Sequence, residues 1–120
     1  MSLIYKLCPR DLWQAAEGEG RFTGAAIDLQ DGFIHFSTAA QVAETASKHF
    51  AGAKDLVLVV IDGDELGPAL RYEVSRGGDL FPHLYGPLEL TAVRSVIALP
   101  LGPDGRHVFP DGVLPEEIRS

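Results

Sequence analysis

The period of apolar positions changes several times along the chain, and each change marks an element. Leu3-Ile4-Tyr5-Lys6-Leu7 alternates, predicting a short first strand with Leu3, Tyr5 and Leu7 on one face. Cys8-Pro9 ends it. A helix from Pro9 to about Glu17 follows, because Leu12, Trp13 and Ala16 lie at helical spacing and Gly18 and Gly20 stop it. Trp13 reads as a core anchor. In the less regular stretch 21–31, Ala25, Ala26 and Leu29 give one or two helical turns, and Asp31-Gly32 is a turn signal. Phe33 to Ser37 is then a strand. Ile34 and Phe36 pack on one face, while Phe33, His35 and Ser37 share the other. Thr38 caps the next helix and Gln41 completes a capping box. Val42, Ala43, Ala46 and Phe50 form the apolar stripe of that helix, and Gly52 ends it. Glu44 and Lys48 pair on its wet side, worth about 0.3 kcal/mol.

Asp55 to Asp62 is apolar from Leu56 to Ile61 without alternation, so this strand is covered on both faces. A connection over 63–68 has room for one helical turn. Ala69 to Ser75 returns as a strand, with Leu70, Tyr72 and Val74 on one face and Arg71 and Glu73 on the other. Arg76-Gly77-Gly78-Asp79 is a loop. Leu80 to Pro87 holds two prolines, which argues against a regular central strand. Phe81 and Tyr85 are large for an exposed loop, so the segment is expected against the core, holding His83 in a fixed pose. Leu90–Val93 turns, Arg94–Leu99 is a strand, and Gly102-Pro103-Asp104-Gly105 is a hairpin turn from which Arg106–Phe109 pairs back. Residues 110–120 read as a polar, loose tail behind a single domain whose core spans about 3–109.

Composition narrows the function classes. A chain of 120 residues that is 46% hydrophobic suits one domain with one core. The longest apolar run is far short of the ~20 residues of a membrane helix, and the N-terminus has no secretory pattern. The single cysteine, Cys8, forms no intramolecular disulfide; together these features predict a cytoplasmic protein with no membrane partner. A net charge of -7 with scattered lysines and arginines argues against nonspecific nucleic-acid binding.

The candidate chemistry sits in two stretches, Gly32 to Thr38 and Phe81 to Pro87. His35 and His83 are each constrained by their neighbours, whereas His49 at a helix end and His107 on the hairpin read as structural and surface residues. Ser37 at a strand end beside a helix start suits a small anion, because free N–H groups gather there. Glu73 is either a salt-bridge partner of Arg71 or a carboxylate for a sugar hydroxyl or a cationic transition state. A zinc site from His35, His83 and Glu73 matches no known spacing, so no metal is assigned, and metal-assisted hydrolysis stays the weaker alternative. Ser37 lacks a nucleophile elbow.

With Ile4-Tyr5, the Trp13 helix, Gly32-Phe33-Ile34-His35-Phe36-Ser37-Thr38, Gln41, Tyr72-Glu73 and Phe81-Pro82-His83-Leu84-Tyr85-Gly86-Pro87 in place, the chain resembles the domain-of-unknown-function 952 family over residues 3 to 100. That family is similar in fold to ADP-ribosyltransferases. The resemblance implies an α+β domain, an ADP-ribosylation-like fold of two small, partly split mixed sheets with two main helices around a cleft for NAD or a related nucleotide. It places Lys6 at the nucleotide-holding position of the early strand, Ser37-Thr38 at the hydroxyl element, and Phe81 to Gly86 at the late element. Glu73 or Glu89 would meet the glutamate position. The implied function is an ADP-ribosyltransferase-like enzyme, with Glu73, His35 and His83 catalytic and Lys6, Ser37, Thr38 and Tyr85 binding the ligand. The alternative is a non-catalytic module for a small anion or nucleotide.

Overall fold

The computed structural model describes residues 2–114. In chain order the elements are β1 (Leu3–Pro9), α1 (Arg10–Glu19), β2 (Arg21–Phe22), α2 (Ala26–Asp31), β3 (Ile34–His35), α3 (Ala39–His49), β4 (Leu56–Asp62), β5 (Leu70–Val74), β6 (Leu80–Leu84), β7 (Leu88–Glu89) and β8 (Val93–Leu99). The architecture is α+β. Two sheets were expected; among the described residues there are two three-stranded sheets, ordered β1-β4-β8 and β3-β6-β5, and a two-stranded ribbon β2-β7, with antiparallel pairing in each.

The apolar run in β4 behaves as its lack of alternation predicts, since every residue in it is buried. Val57, Val59 and Ile61 join Ile4, Trp13, Phe22, Ile34, Phe36 and Leu84 in one core. Leu56, Leu58 and Val60 join Tyr5, Leu7, Val42, Ala46 and Leu114 in a second core under α3. A single-core reading therefore undercounts, and Leu114, which is buried, carries the packing into the segment expected to be loose. Residues 115–120 of that segment lie outside the described residues. β1 is buried along both faces, so Lys6 is drawn into the first core beside Ile4 and Cys8.

α1 starts one residue later than expected, with Pro9 as its N-cap, and runs through Gly18 to a left-handed cap at Gly20. At α3, Gln41 Oε1 accepts from Thr38 N–H at 3.0 Å, the predicted capping contact, and Gln41 Nε2 also donates to Leu80 O at 2.7 Å, tying α3 to β6. Val42 and Ala46 are the buried part of the α3 stripe, whereas Ala43 is exposed.

One expectation fails in the second half. Leu80–Leu84 is a central strand despite Pro82, between β3 and β5. The physical reason lies in where the ladder stops. Pro82 O accepts from Phe36 N–H at 3.0 Å, but proline has no N–H to return, and regular pairing of β3 with β6 ends at Ile34 and His35. The chain then crosses to the other sheet, where Ser37 and Tyr5 exchange two N–H to O bonds of 2.8 Å. In β5, Leu70, Tyr72 and Val74 share one face as alternation predicts, and beyond Leu70 that face is uncovered, with Tyr72 and Val74 exposed beside Leu80 on this edge strand.

Candidate functional site

Register brings the two motif stretches together. His35 pairs with His83, and Arg71 pairs with His83 from the other side. Period-two alternation therefore puts His35, His83, Arg71, Glu73 and Phe81 on the face of β3-β6-β5 turned away from Ile34 and Leu84. The imidazole centroids of His35 and His83 are 5.5 Å apart, edge to face, and the Phe33 ring stacks on His83 at 4.2 Å.

The two imidazoles are held by different carboxylates. Around His35 the organising group is Asp28 of α2, a buried residue that sequence reasoning passed over. Its carboxylate accepts from Lys6 Nζ at 2.9 and 3.1 Å, Ala25 N–H at 2.7 Å and His35 N–H at 3.0 Å, and it meets His35 Nδ1 at 2.6 Å. Burial alone would raise this carboxyl. The hydrogen bond from His35, the Lys6 ammonium and the two backbone N–H groups outweigh burial and hold it well below the usual carboxylate range. His35 Nε2 faces Asp31 Oδ2 at 2.9 Å. Carboxylates only accept, so both contacts form at once when both ring nitrogens carry protons.

Lys6 is fully engaged. Its three donors go to the two Asp28 oxygens and to His35 O at 2.8 Å. Burial lowers its pKa, opposed by Asp28. The expected nucleotide-holding cation is thus a structural clasp among β1, α2 and β3. A lysine in a strand buried on both faces needs an acid nearby, and that was the available signal for Asp28. Gly24 is a second trace of it. Its φ is +121°, and a Cβ there would lie 2.8 Å from Asp28 Cβ.

Around His83, Glu73 Oε1 meets Nδ1 at 2.8 Å and accepts from the Tyr85 hydroxyl at 2.7 Å. The Tyr85 hydroxyl, then His83, holds the Glu73 carboxyl below its ordinary value, and Glu73 in turn raises the Tyr85 phenol. The Arg71 guanidinium lies 5.3 Å from the centre of the Tyr85 ring. His83 is only 4% exposed.

A cavity of about 530 Å³ opens where β1 and β3 diverge below the Tyr5–Ser37 pair. Its wall includes Tyr5, Ile27, Asp31, His35, Ser37 and Thr45, and it continues past His49 and Phe50. It therefore runs along the side of α3. The start of α3, where an anion was expected, does not line it. Thr38 serves the helix cap, and Ser37 Oγ donates to Thr45 Oγ1 at 3.2 Å. Of the expected site residues, the structure brings His35, Ser37 and Lys6 to this cavity, and groups His83, Glu73 and Tyr85 on the sheet face beside His35. Glu89, the other candidate for the glutamate position, pairs with Arg21 at 3.7 Å on the exposed ribbon. Among the described residues no three His, Cys, Asp or Glu side chains converge as a metal site. No helix among them is long and apolar enough to cross a membrane.

Cys8 is buried, and burial pushes its thiol up to about 11, the opposite of an activated nucleophile. His107 Nε2 donates to Ala53 O at 2.8 Å, pinning the C-terminal hairpin to the loop after α3.

Three solved structures resemble the chain. The X-ray crystal structure of protein CC0527 from Caulobacter crescentus is 48% identical with a TM-score of 0.86, covering 89% of this chain and 94% of that one. A double methionine variant of the same protein gives 47% identity and the same TM-score and coverage. Its solution NMR structure is 49% identical with a TM-score of 0.80, covering 88% and 91%. No curated protein matches. A family model matches residues 7–96, and the chain belongs to the family described as Protein of unknown function (DUF952).

Proposed function

We propose that the domain binds a nucleoside-bearing small molecule, NAD or a related nucleotide among the candidates, in the cavity between β1 and β3. The observation that carries this reading is the cavity itself. It measures about 530 Å³, within the ~300–1,000 Å³ usual for small-molecule sites. Its chemistry is divided. Tyr5, Ile27, Phe36 and Phe50 offer a wall for a planar base, and Asp31, Ser37 and Thr45 offer acceptors and hydroxyls for a sugar. With Lys6 committed to Asp28, sugar hydroxyls are a better match for this end than phosphate oxygens. An arrangement of two sheets joined by one bridging pair, with a cleft at the split, agrees with the ADP-ribosylation-like architecture that the sequence motifs suggest.

The test is calorimetric titration and thermal shift with NAD, ADP-ribose and AMP, on the wild type and on Thr45→Phe, which fills the cavity. Binding in the wild type that is lost in Thr45→Phe is the expected result. No binding at millimolar ligand, or equal binding by both proteins, overturns the reading. A second reading, cleavage or transfer at the glycosidic bond, is favoured by Glu73, His83 and Tyr85 standing beside His35 on the same sheet face. Release of nicotinamide from NAD, measured by chromatography, separates it from binding alone.

A further inference from the structure

Among the described residues two buried side-chain polar atoms have no hydrogen-bond partner, Trp13 Nε1 and His83 Nε2. The indole sits in the first core against Phe22, its ring 5.6 Å away. His83 is different. Its other nitrogen is fixed by Glu73, which, as a carboxylate, only accepts. The proton therefore sits on Nδ1, and a neutral ring carries a lone pair on Nε2. Leaving such an atom dry and unpaired is costly, and buried polar groups of this kind are uncommon unless they serve a purpose.

We propose that His83 Nε2 is the proton-accepting atom of a Glu73–His83 pair, and that it receives a hydroxyl donor (water, an alcohol or a sugar hydroxyl) when the Phe33 ring moves off the imidazole. Three observations converge on it. A lone pair selects a donor, and the carboxylates of Glu73, Asp28 and Asp31 around the two histidines repel an anion. Phe33 is the aromatic neighbour on the face of the ring, stacked on His83 at 4.2 Å with an interplanar angle of 28°, and it is half-buried, so its displacement admits solvent beside the imidazole. His83 does not itself line the cavity, but His35, whose ring centroid is 5.5 Å from that of His83, does, so one side chain separates the two. The same arrangement, a carboxylate holding one imidazole nitrogen so that the other can move a proton, recurs in general-base catalysis.

For its electrophile this proposal rests on the nucleoside-bearing ligand proposed above. The hydroxyl proton passes to Nε2 while the oxygen's electron pair forms a bond to the glycosidic carbon of that ligand. The carbon–nitrogen bond breaks with its pair going to the departing base. The imidazolium then returns the proton to the base or to water, and the Nδ1 proton stays bonded to His83, donated to the Glu73 carboxylate, throughout.

The experiment uses the full chain and no nucleotide. Ring nitrogen–proton correlation spectra of the wild type are expected to show hydrogen on Nδ1 of His83 and none on Nε2. Carbethoxylation by diethyl pyrocarbonate, read by peptide mass, is expected to proceed roughly tenfold faster at His83 in Phe33→Ala than in the wild type, with His107 unchanged, because local uncovering controls access. Hydrolysis of p-nitrophenyl acetate is expected to rise in Phe33→Ala and to fall back in Phe33→Ala/His83→Gln. Hydrogen on Nε2 in the wild type, an unchanged modification rate in a folded Phe33 variant, or ester hydrolysis indifferent to His83 would each overturn the proposal. If Phe33→Ala does not fold, Phe33→Leu carries the same comparisons. A failed nucleotide titration with these results intact overturns the cavity reading alone, and the reverse pattern overturns this one alone.

Discussion

His35 and His83 face each other across one rung of a β-ladder, and each is gripped by a carboxylate, yet their surroundings differ in kind. The His35 side is saturated. Asp28 gathers an ammonium, an imidazole and two backbone N–H groups, and Asp31 takes the remaining ring nitrogen. The His83 side is left incomplete, with one nitrogen bonded and the other buried without a partner. Saturation of that sort is how a fold stabilises a charge it has withdrawn from water, and incompleteness is how it keeps an atom available. The comparison therefore separates a filled clasp from an imidazole with one nitrogen left unpaired, though both read in the sequence as a histidine among apolar neighbours.

Mutations on the two sides sharpen that separation. The largest expected effect is from Asp28→Ala, which strands the Lys6 ammonium, 7% exposed, without its counter-charge. We expect a loss of about 3–5 kcal/mol in urea unfolding, the usual cost of breaking one half of a buried pair. The pH dependence follows from the same residue. Its folded pKa is depressed, so its contribution is complete above the unfolded value of about 3.9 and disappears as pH falls further towards the folded value. Asp28's contribution to the urea midpoint should therefore hold from pH 7 down to about pH 4 and fall away below it in the wild type, with a shallower fall below pH 4 in Asp28→Asn. Next in size is Gln41→Ala, which removes both the helix cap and the tether to Leu80 O, for about 1 kcal/mol by the same measurement. His83→Leu should change stability by less than about 1 kcal/mol, since the lost Nδ1 bond to the partly exposed Glu73, which keeps Tyr85, is offset by removing a buried nitrogen that had no partner. A loss as large as that of Asp28→Ala would erase the distinction between the two sides. The smallest effect is Lys48→Ala, about 0.3 kcal/mol, because the 3.0 Å pair with Glu44 is solvated.

Local patterning made much of this visible in the chain itself. The α3 cap at Thr38 and Gln41, the doubly buried β4 and the facing of Ile34 and Phe36 into the core depend on contacts a few residues apart or on the strand period. The nearness of the two motif stretches was expected from the candidate chemistry they share and not from any local rule, and the β3–β6 register brings their imidazoles to 5.5 Å. Asp28 was not, since its partner Lys6 is 22 positions away and its own helix has only 6 residues, too short for a period. Pro82 misled in another way. A rule about central strands assumes that both neighbours need every rung, and here β3 leaves after two residues. Leu70, Tyr72 and Val74 share a face as their alternation predicts, but alternation does not show whether anything lies against that face, and Tyr72 and Val74 stand exposed.

The Tyr5–Ser37 pair is the only rung by which β3 also grips the β1-β4-β8 sheet among the described residues. Together with the Lys6 clasp to Asp28 and His35 O, it fixes how far the two sheets part. For a ligand of the kind proposed, two main-chain hydrogen bonds thus hold the frame of the notch, while side chains such as Thr45 decide the room left along its wall.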